Sequence, residues 1–285
     1  MEDFVSQNPY RGKGVIVNNK IILVILQGLS YGAATLSMGY MNELVKTGEA
    51  EFYTVSPENT TLSKPIYEDM FYNTSLYVNA MLNHQVVKIP EKKNIFELAR
   101  ERGLKTGAAA FYWASEAYNK EKINETEFKL EFDEDSNIQY GSFYSDASYP
   151  DHSVFSDSEF IRKKYNPNLL LVHAMGIAYA IYKFGLNSQE YYDKVLEIHN
   201  TLELVIPMWL EAGYGVIVTT ENRLDDKDVW DKEEIVPLWI IGEEFEKTKL
   251  GSKVSKIGIT EAICDVLNIK KREKFINCNV TGAEF

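Results

Sequence analysis

The chain has 285 residues, 45% of them hydrophobic, a length and apolar content that suit one large α/β domain with a substantial core. Its 42 acidic and 30 basic residues give a net charge of -12, which repels nucleic-acid phosphates and acidic membrane surfaces. We therefore expect neither nucleic acid nor a membrane as a partner.

The start of the chain does not resemble a signal peptide. Its start, Met1-Glu2-Asp3-Phe4, lacks the basic segment and apolar core of a signal peptide, and no apolar run approaches the ~20 residues of a membrane-spanning helix. Two cysteines, Cys264 and Cys278, are too few for a disulfide framework. These features predict a cytoplasmic protein.

The first part of the chain alternates between predicted strands and helices. In chain order, the pattern predicts a strand at 21–26, a helix at 30–46, a helix at 66–72, a helix from Asn94 to Gly103 and a strand at 105–113. The helix that starts at Asn94 resembles a capping box, because Glu97 follows three residues later.

The second part begins with an irregular segment at 119–155, which is acidic, aromatic and rich in Ser, Asn and Asp. We interpret it as a small insert or cap with short strands. The pattern then predicts a helix at 156–165, a strand at 169–173, a long helix from 187 to 213, strands at 214–220 and 235–241, and a helix at 260–267. Strands separated by helices predict an α/β fold, with a mostly parallel central sheet and helices on both faces, in a single domain over 1–285.

The ends of the predicted strands are where an open α/β sheet places its chemistry. Three of these ends carry Gln27, His173 and the pair Glu221-Asn222. His173 can orient a ligand or act as a base, but a hydrogen-bonded core histidine is the commoner use of such a residue. These ends therefore hold fewer Asp and His residues than a metallohydrolase needs.

Seven short blocks occur in a fixed order along residues 20–269. They are LVILQGL at 23–29, TLSKP at 61–65, NIFELAR at 94–100, GLKTG at 103–107, YWASE at 112–116, KFG at 183–185 and VPLW at 236–239, the last followed by Ile241-Gly242. In this order they resemble the type I phosphodiesterase/nucleotide pyrophosphatase branch of the alkaline phosphatase superfamily. The resemblance implies an alkaline-phosphatase-like fold and two metal ions, usually zinc or manganese. It also implies Asp and His ligands at the strand ends and a Ser or Thr nucleophile that attacks phosphorus.

Most of the implied metal ligands are replaced in this chain. By resemblance, Gln27 stands where the family has Asp after the first strand, an Asp-then-His pair falls on Ala178 and Tyr182, and the next Asp-His pair falls on Glu221 and Asn222. Alanine cannot bind a metal, and Gln and Asn offer only a neutral carbonyl oxygen, which is poor for zinc. We therefore expect a metal-free site without a zinc or manganese cofactor.

The nucleophile position, in contrast, is retained on Ser63, and Asn83 corresponds to the family's phosphate-contacting Asn. Ser63 precedes a predicted helix whose first N–H groups, together with Lys64, favour an anion. The alternative use of Ser63 is a simple helix N-cap. A serine hydroxyl without a metal or a base is a weak nucleophile.

The resemblance to this family and the replacement of its metal ligands together predict a catalytically inactive phosphodiesterase/nucleotide pyrophosphatase-like protein. It would act by binding a protein partner or a small phosphorylated ligand near Ser63. The alternative is an active metal-dependent phosphodiesterase or phosphatase with a diverged site, in which Ser63 is the nucleophile and Glu221, Asn83 or His173 assist. A further alternative is a scaffold subunit that pairs with an active relative.

Overall fold

A computed structural model describes residues 19–55, 93–119, 129–220, 235–245 and 256–269 of the chain. The strands are β1 (Ile21–Leu26), β2 (Ala50–Val55), β3 (Thr106–Phe111), β4 (Lys129–Phe132), β5 (Tyr140–Tyr144), β6 (Leu169–Ala174), β7 (Gly215–Thr219) and β8 (Val236–Ile241). The helices are α1 (Tyr31–Ser37), α2 (Gly39–Thr47), α3 (Ile95–Glu101), α4 (Trp113–Tyr118), α5 (Asp151–Tyr165), α6 (Gly176–Phe184), α7 (Gln189–Glu211) and α8 (Lys256–Val266). None of the helices in these ranges combines the length and the apolar character needed to cross a bilayer.

One eight-stranded sheet forms the centre of the fold, in the order β2-β8-β7-β1-β6-β3-β5-β4. Strands β7, β1, β6, β3 and β5 run parallel to their neighbours in this series. Strand β8 pairs antiparallel with β7, and β4 pairs antiparallel with β5. The predicted α/β class with a mostly parallel sheet is therefore confirmed.

Helices cover both faces of this sheet. Alternate residues of β1 point to opposite faces, so that Ile22, Val24 and Leu26 pack towards α1, α2, α5, α6 and α7. Ile21, Leu23 and Ile25 pack towards α3, α4 and α8. A strand that is buried on both faces reads as a continuous apolar run, which explains the sequence of β1.

The longest helix, α7, follows the predicted pattern closely. Ser188 caps it, because its hydroxyl accepts a hydrogen bond from the Tyr191 N–H at 3.2 Å, and Gly213 adopts a left-handed φ of 77° beyond its end. The apolar stripe of α7 is buried, with members Tyr191, Val195, Ile198, Leu202, Val205 and Trp209. Pro207 lies inside the helix.

The predicted helix at 30–46 is instead two helices, α1 and α2, separated at Met38. Met38 leaves the helical region, with φ -102° and ψ 65°, and its side chain is completely buried. The Asn42 side-chain amide donates to the Thr35 carbonyl at 2.9 Å, and this bond satisfies an acceptor that the break leaves without its helical partner.

The segment at 119–155 contains the short strands predicted there, and its role as an insert or cap stays a prediction. In its described part, β4 and β5 extend the sheet at one edge, and α5 begins at Asp151 rather than at 156. Apolar side chains drive this arrangement, since Phe143, Tyr144 and Phe155 are all buried in the core. The helix predicted at 66–72 lies outside the described residues.

Candidate functional site

The carboxyl ends of β7, β1 and β6 lie side by side, at the edge of the sheet where the sequence places the candidate site. Gln27 directly follows β1, is 1% exposed, and donates its backbone N–H to the Ala174 carbonyl at 3.0 Å. On the other side, Thr219 at the end of β7 donates its hydroxyl to the Pro237 carbonyl at 2.9 Å. The site is thus anchored on three neighbouring strands.

A close contact joins the turn after β1 to the first turns of α6. Gly28 has a φ of 90°, and a Cβ at this position would lie 3.1 Å from both the Cα and the N of Ala178. Only glycine combines that conformation with that approach at little cost. The fold therefore places Gln27 and Ala178, two of the implied ligand positions, on elements in direct contact.

The side chains at these positions do not suit a pair of divalent metal ions. Gln27 offers an amide, Ala178 offers a methyl group and is 5% exposed, and Tyr182 is 88% exposed on the surface of α6. None of the three supplies the carboxylate or imidazole that zinc and manganese require. Within the described ranges, no group of three or more His, Cys, Asp and Glu residues is arranged to hold a metal ion.

His173 is part of the sheet. It is completely buried, pairs with Ile25 in the parallel register of β1 and β6, and its carbonyl accepts the Tyr144 hydroxyl at 2.6 Å. Burial lowers the pKa of its imidazole to about 3, so the ring is neutral at physiological pH. This environment favours the core interpretation of His173 over a role in ligand binding.

Five candidate residues lie outside the described residues: Ser63, Lys64, Asn83, Glu221 and Asn222. Their roles as nucleophile, anion contact or ligand contact stay predictions. The structure brings together the positions after β1 and β6.

Asp151 is a buried carboxylate close to the candidate site that the sequence patterns did not reveal. It is 2% exposed at the start of α5, and its Oδ1 accepts the backbone N–H of Gly176, the first residue of α6, at 3.0 Å. Burial raises its carboxyl pKa to about 6, against the opposing effects of the Gly176 hydrogen bond and the Lys194 ammonium. The available signal was Pro150 directly before Asp151, since proline often marks a helix start.

A cavity of about 290 Å³ lies beside Asp151, between the loop after β5, α6 and the first half of α7. It is lined by Ala147, Ser148, Tyr149, Pro150, Gly176, Tyr179, Ala180, Phe184, Glu190, Asp193, Lys194 and Glu197. No local sequence pattern predicts this cavity, because its lining comes from three separate segments.

Comparison with solved structures identifies the scaffold. Murine ectonucleotide pyrophosphatase/phosphodiesterase 5 is similar with a TM-score of 0.63 at 12% identity, over 89% of this chain and 96% of that chain. The fold is therefore alkaline-phosphatase-like. An inactive variant of the same murine protein in complex with AMP has a TM-score of 0.59 at 12% identity, and the match covers 89% of this chain and 96% of that chain. Alkaline phosphatase from the Antarctic bacterium TAB5 has a TM-score of 0.52 at 11% identity, over 89% of this chain and 98% of that chain.

No family model matches the chain, and no curated protein matches it significantly. The alkaline phosphatase fold is therefore shown by shape. The activity has to be argued from the residues at the strand ends, because one fold supports many functions.

Proposed function

We propose that this protein is a catalytically inactive phosphodiesterase/nucleotide pyrophosphatase-like protein that acts by binding a small phosphorylated ligand at the carboxyl edge of its sheet. One observation carries the proposal: a buried Gln27 and a nearly buried Ala178 lie on contacting elements at two positions where the resembled family holds metal. A scaffold with replaced ligands is suited to binding and poorly suited to metal-dependent hydrolysis.

Electrostatics supports the loss of catalysis. Two divalent cations bring four positive charges into a site, and carboxylate ligands normally offset them. Gln27 contributes only a neutral amide and Ala178 contributes no donor atom, so a metal ion here would lack most of its compensation. Without a metal, the Ser63 hydroxyl would have to attack phosphorus at its ordinary reactivity, which is low.

Two further points support a phosphorylated ligand. Ser63 and Lys64 form a hydroxyl-plus-ammonium pair before a predicted helix, and such a pair favours phosphate oxygens. The similar murine protein was solved in complex with AMP as an inactive variant, which is an example of this fold with a nucleotide and without turnover. A nucleoside monophosphate is therefore the first ligand class to test.

The experiment combines turnover with binding. We expect the purified protein, supplied with zinc or manganese, to show no hydrolysis of bis(4-nitrophenyl) phosphate that depends on Ser63. We also expect AMP to bind in calorimetry and to bind more weakly to the Ser63→Ala and Lys64→Ala variants. Metal-dependent turnover that disappears in Ser63→Ala would overturn the proposal and restore the diverged hydrolase.

Retention of Ser63 at the nucleophile position is the observation that favours this second candidate, an active phosphodiesterase or phosphatase. The protein-partner form of the binding hypothesis predicts a different result. AMP would then fail to bind, and the mass in solution would rise in the presence of the partner.

A further inference from the structure

Helix α6 separates two different environments. Ala178 and Ile181 lie against Gly28, on the side of the candidate phosphate site. Gly176, Tyr179, Ala180 and Phe184 line the 290 Å³ cavity on the other side. The cavity therefore lies on a different side of α6 from the strand end at Gln27.

The charge of this cavity is the opposite of what a phosphate needs. Glu190, Asp193 and Glu197 line it from successive turns of α7, and Lys194 is the cation among its lining residues. Lys194 forms an ion pair with Glu197 at 2.6 Å, which offsets one of these negative charges. The wall from α7 is left with an excess of carboxylate.

A buried carboxylate adds to this excess. Asp151 is 2% exposed and lies directly behind Gly176 and Lys194, both of which line the cavity. Its Oδ1 accepts the Gly176 N–H, whereas its buried Oδ2 has no hydrogen-bond donor and lies 4.0 Å from the Lys194 ammonium. A Cβ on Gly176 would lie 2.0 Å from that oxygen, so Oδ2 packs directly against the glycine. A carboxylate this close to two lining residues adds negative charge to the wall of the cavity.

Aromatic rings form the remaining wall. Tyr149, Tyr179 and Phe184 line the cavity, and the Lys183 ammonium lies 5.6 Å from the Tyr179 ring centre and 5.3 Å from that of Phe184. Two of these rings thus already accept a cation over their faces. Carboxylates beside aromatic faces are the combination that recognises organic ammonium groups.

We propose that this cavity binds a small organic cation, a primary ammonium attached to an aromatic or alkyl body. The ammonium group donates to the α7 carboxylates, and the body packs against Tyr149 and Tyr179. The cavity volume is close to the lower end of the range for small-molecule sites, which suits a ligand of this size. An organic cation fits better than a metal ion, because the described carboxylates are not grouped as metal ligands.

Three probes of matched shape and different charge test the proposal on the full chain. They are 2-phenylethylammonium, 2-phenylethanol and 3-phenylpropionate, each titrated by calorimetry and by NMR chemical-shift changes. We expect saturable binding of the ammonium, about tenfold weaker binding of the alcohol and still weaker binding of the carboxylate. Equal affinities of the ammonium and the alcohol, or no binding of the ammonium, would overturn the proposal.

Charge-neutral variants locate the binding. Glu190→Gln and Asp193→Asn keep the shape of the side chain and remove its charge. We expect each to weaken the binding of 2-phenylethylammonium by about threefold, and the double variant to weaken it by about tenfold. Glu203→Gln is the matched control, since Glu203 is exposed on the same helix and does not line the cavity. Unchanged affinity in the double variant, or an equal loss in Glu203→Gln, would contradict the assigned site.

Discussion

Asp151 Oδ1 accepts the backbone N–H of Gly176 at 3.0 Å, a bond that ties the start of α5 to the start of α6 across 25 residues. This N–H is one of the first in α6 and has no partner within its own helix. A single side chain thus fixes the helix that borders both the strand-end site and the acidic cavity.

The first prediction concerns Gly176→Ala. The new Cβ would lie 2.0 Å from Asp151 Oδ2, so either the carboxylate or α6 has to move and the hydrogen bond is weakened. We expect the free energy of unfolding in urea to fall by about 3 kcal/mol. Gly32→Ala in α1 is the control, because nothing lies within 4 Å of a Cβ there. Helix propensity should make that variant unchanged or up to about 1 kcal/mol more stable. Similar changes in unfolding free energy for Gly176→Ala and Gly32→Ala would contradict the close contact between Gly176 and Asp151.

The second prediction is a pH dependence that belongs to Asp151. Its folded-state pKa is about 6, above the ordinary aspartate pKa of 3.8, so between these pH values the native state binds more protons than the unfolded state. The contribution of Asp151 to stability is therefore full below about pH 4 and lost as pH rises through about 6, a loss of roughly 3 kcal/mol.

Asp151→Asn should remove this contribution. Urea unfolding of both proteins at several pH values gives a difference curve in which other groups cancel, among them Glu244, whose pKa burial also raises. A difference that stays constant from about pH 4 to about pH 7 would show that the Asp151 carboxyl is not perturbed as the structure indicates.

The third prediction concerns the anchoring of the turn after β1. The Tyr191 hydroxyl accepts the Ser30 N–H at 3.1 Å and donates to the Ser30 hydroxyl at 2.9 Å. Tyr191→Phe should reduce the free energy of unfolding by about 1–2 kcal/mol, because it leaves the Ser30 N–H without this acceptor. The neighbouring Tyr192 donates to Asn187 at an exposed position, so Tyr192→Phe should change stability by less than about 0.5 kcal/mol. A larger loss of unfolding free energy in Tyr192→Phe than in Tyr191→Phe would contradict this account.

The fourth prediction follows from the burial of His173. Its pKa of about 3 means that the imidazole stays neutral at physiological and mildly acidic pH. The Cε1–H resonance of His173, assigned with a His173→Gln variant, should not move between about pH 7.5 and about pH 5. Because its folded pKa is depressed, the residue should also lower stability as pH falls below about 6.5. A titration midpoint near 6.5 would place the ring in contact with solvent and reopen its candidacy as a base.

Local patterns predicted the scaffold well. The apolar run of β1, the Asn94 cap of α3 and the start of α7 near residue 188 all occur as expected, because each depends on a few neighbouring residues. The break at Met38 and the placement of β4 and β5 in the sheet depend on contacts between distant segments, which periodicity does not register. The same reason hid Asp151 and the acidic cavity, whereas Gln27 and Ala178 were found because the resemblance aligned them with ligand positions. The cytoplasmic location and the absence of a nucleic-acid partner stay predictions.

Metal content tests the central claim most directly. The protein is incubated with zinc and manganese, freed of excess metal by gel filtration, and its ions per chain are counted by mass spectrometry. A variant that combines Gln27→Asp, Ala178→Asp and Tyr182→His serves as the comparison, because it returns three of the family's ligand types to the site. The account predicts no retained metal in the natural protein and a measurable gain in the variant. Two ions per chain in the natural protein would contradict it and make an active phosphodiesterase the better description.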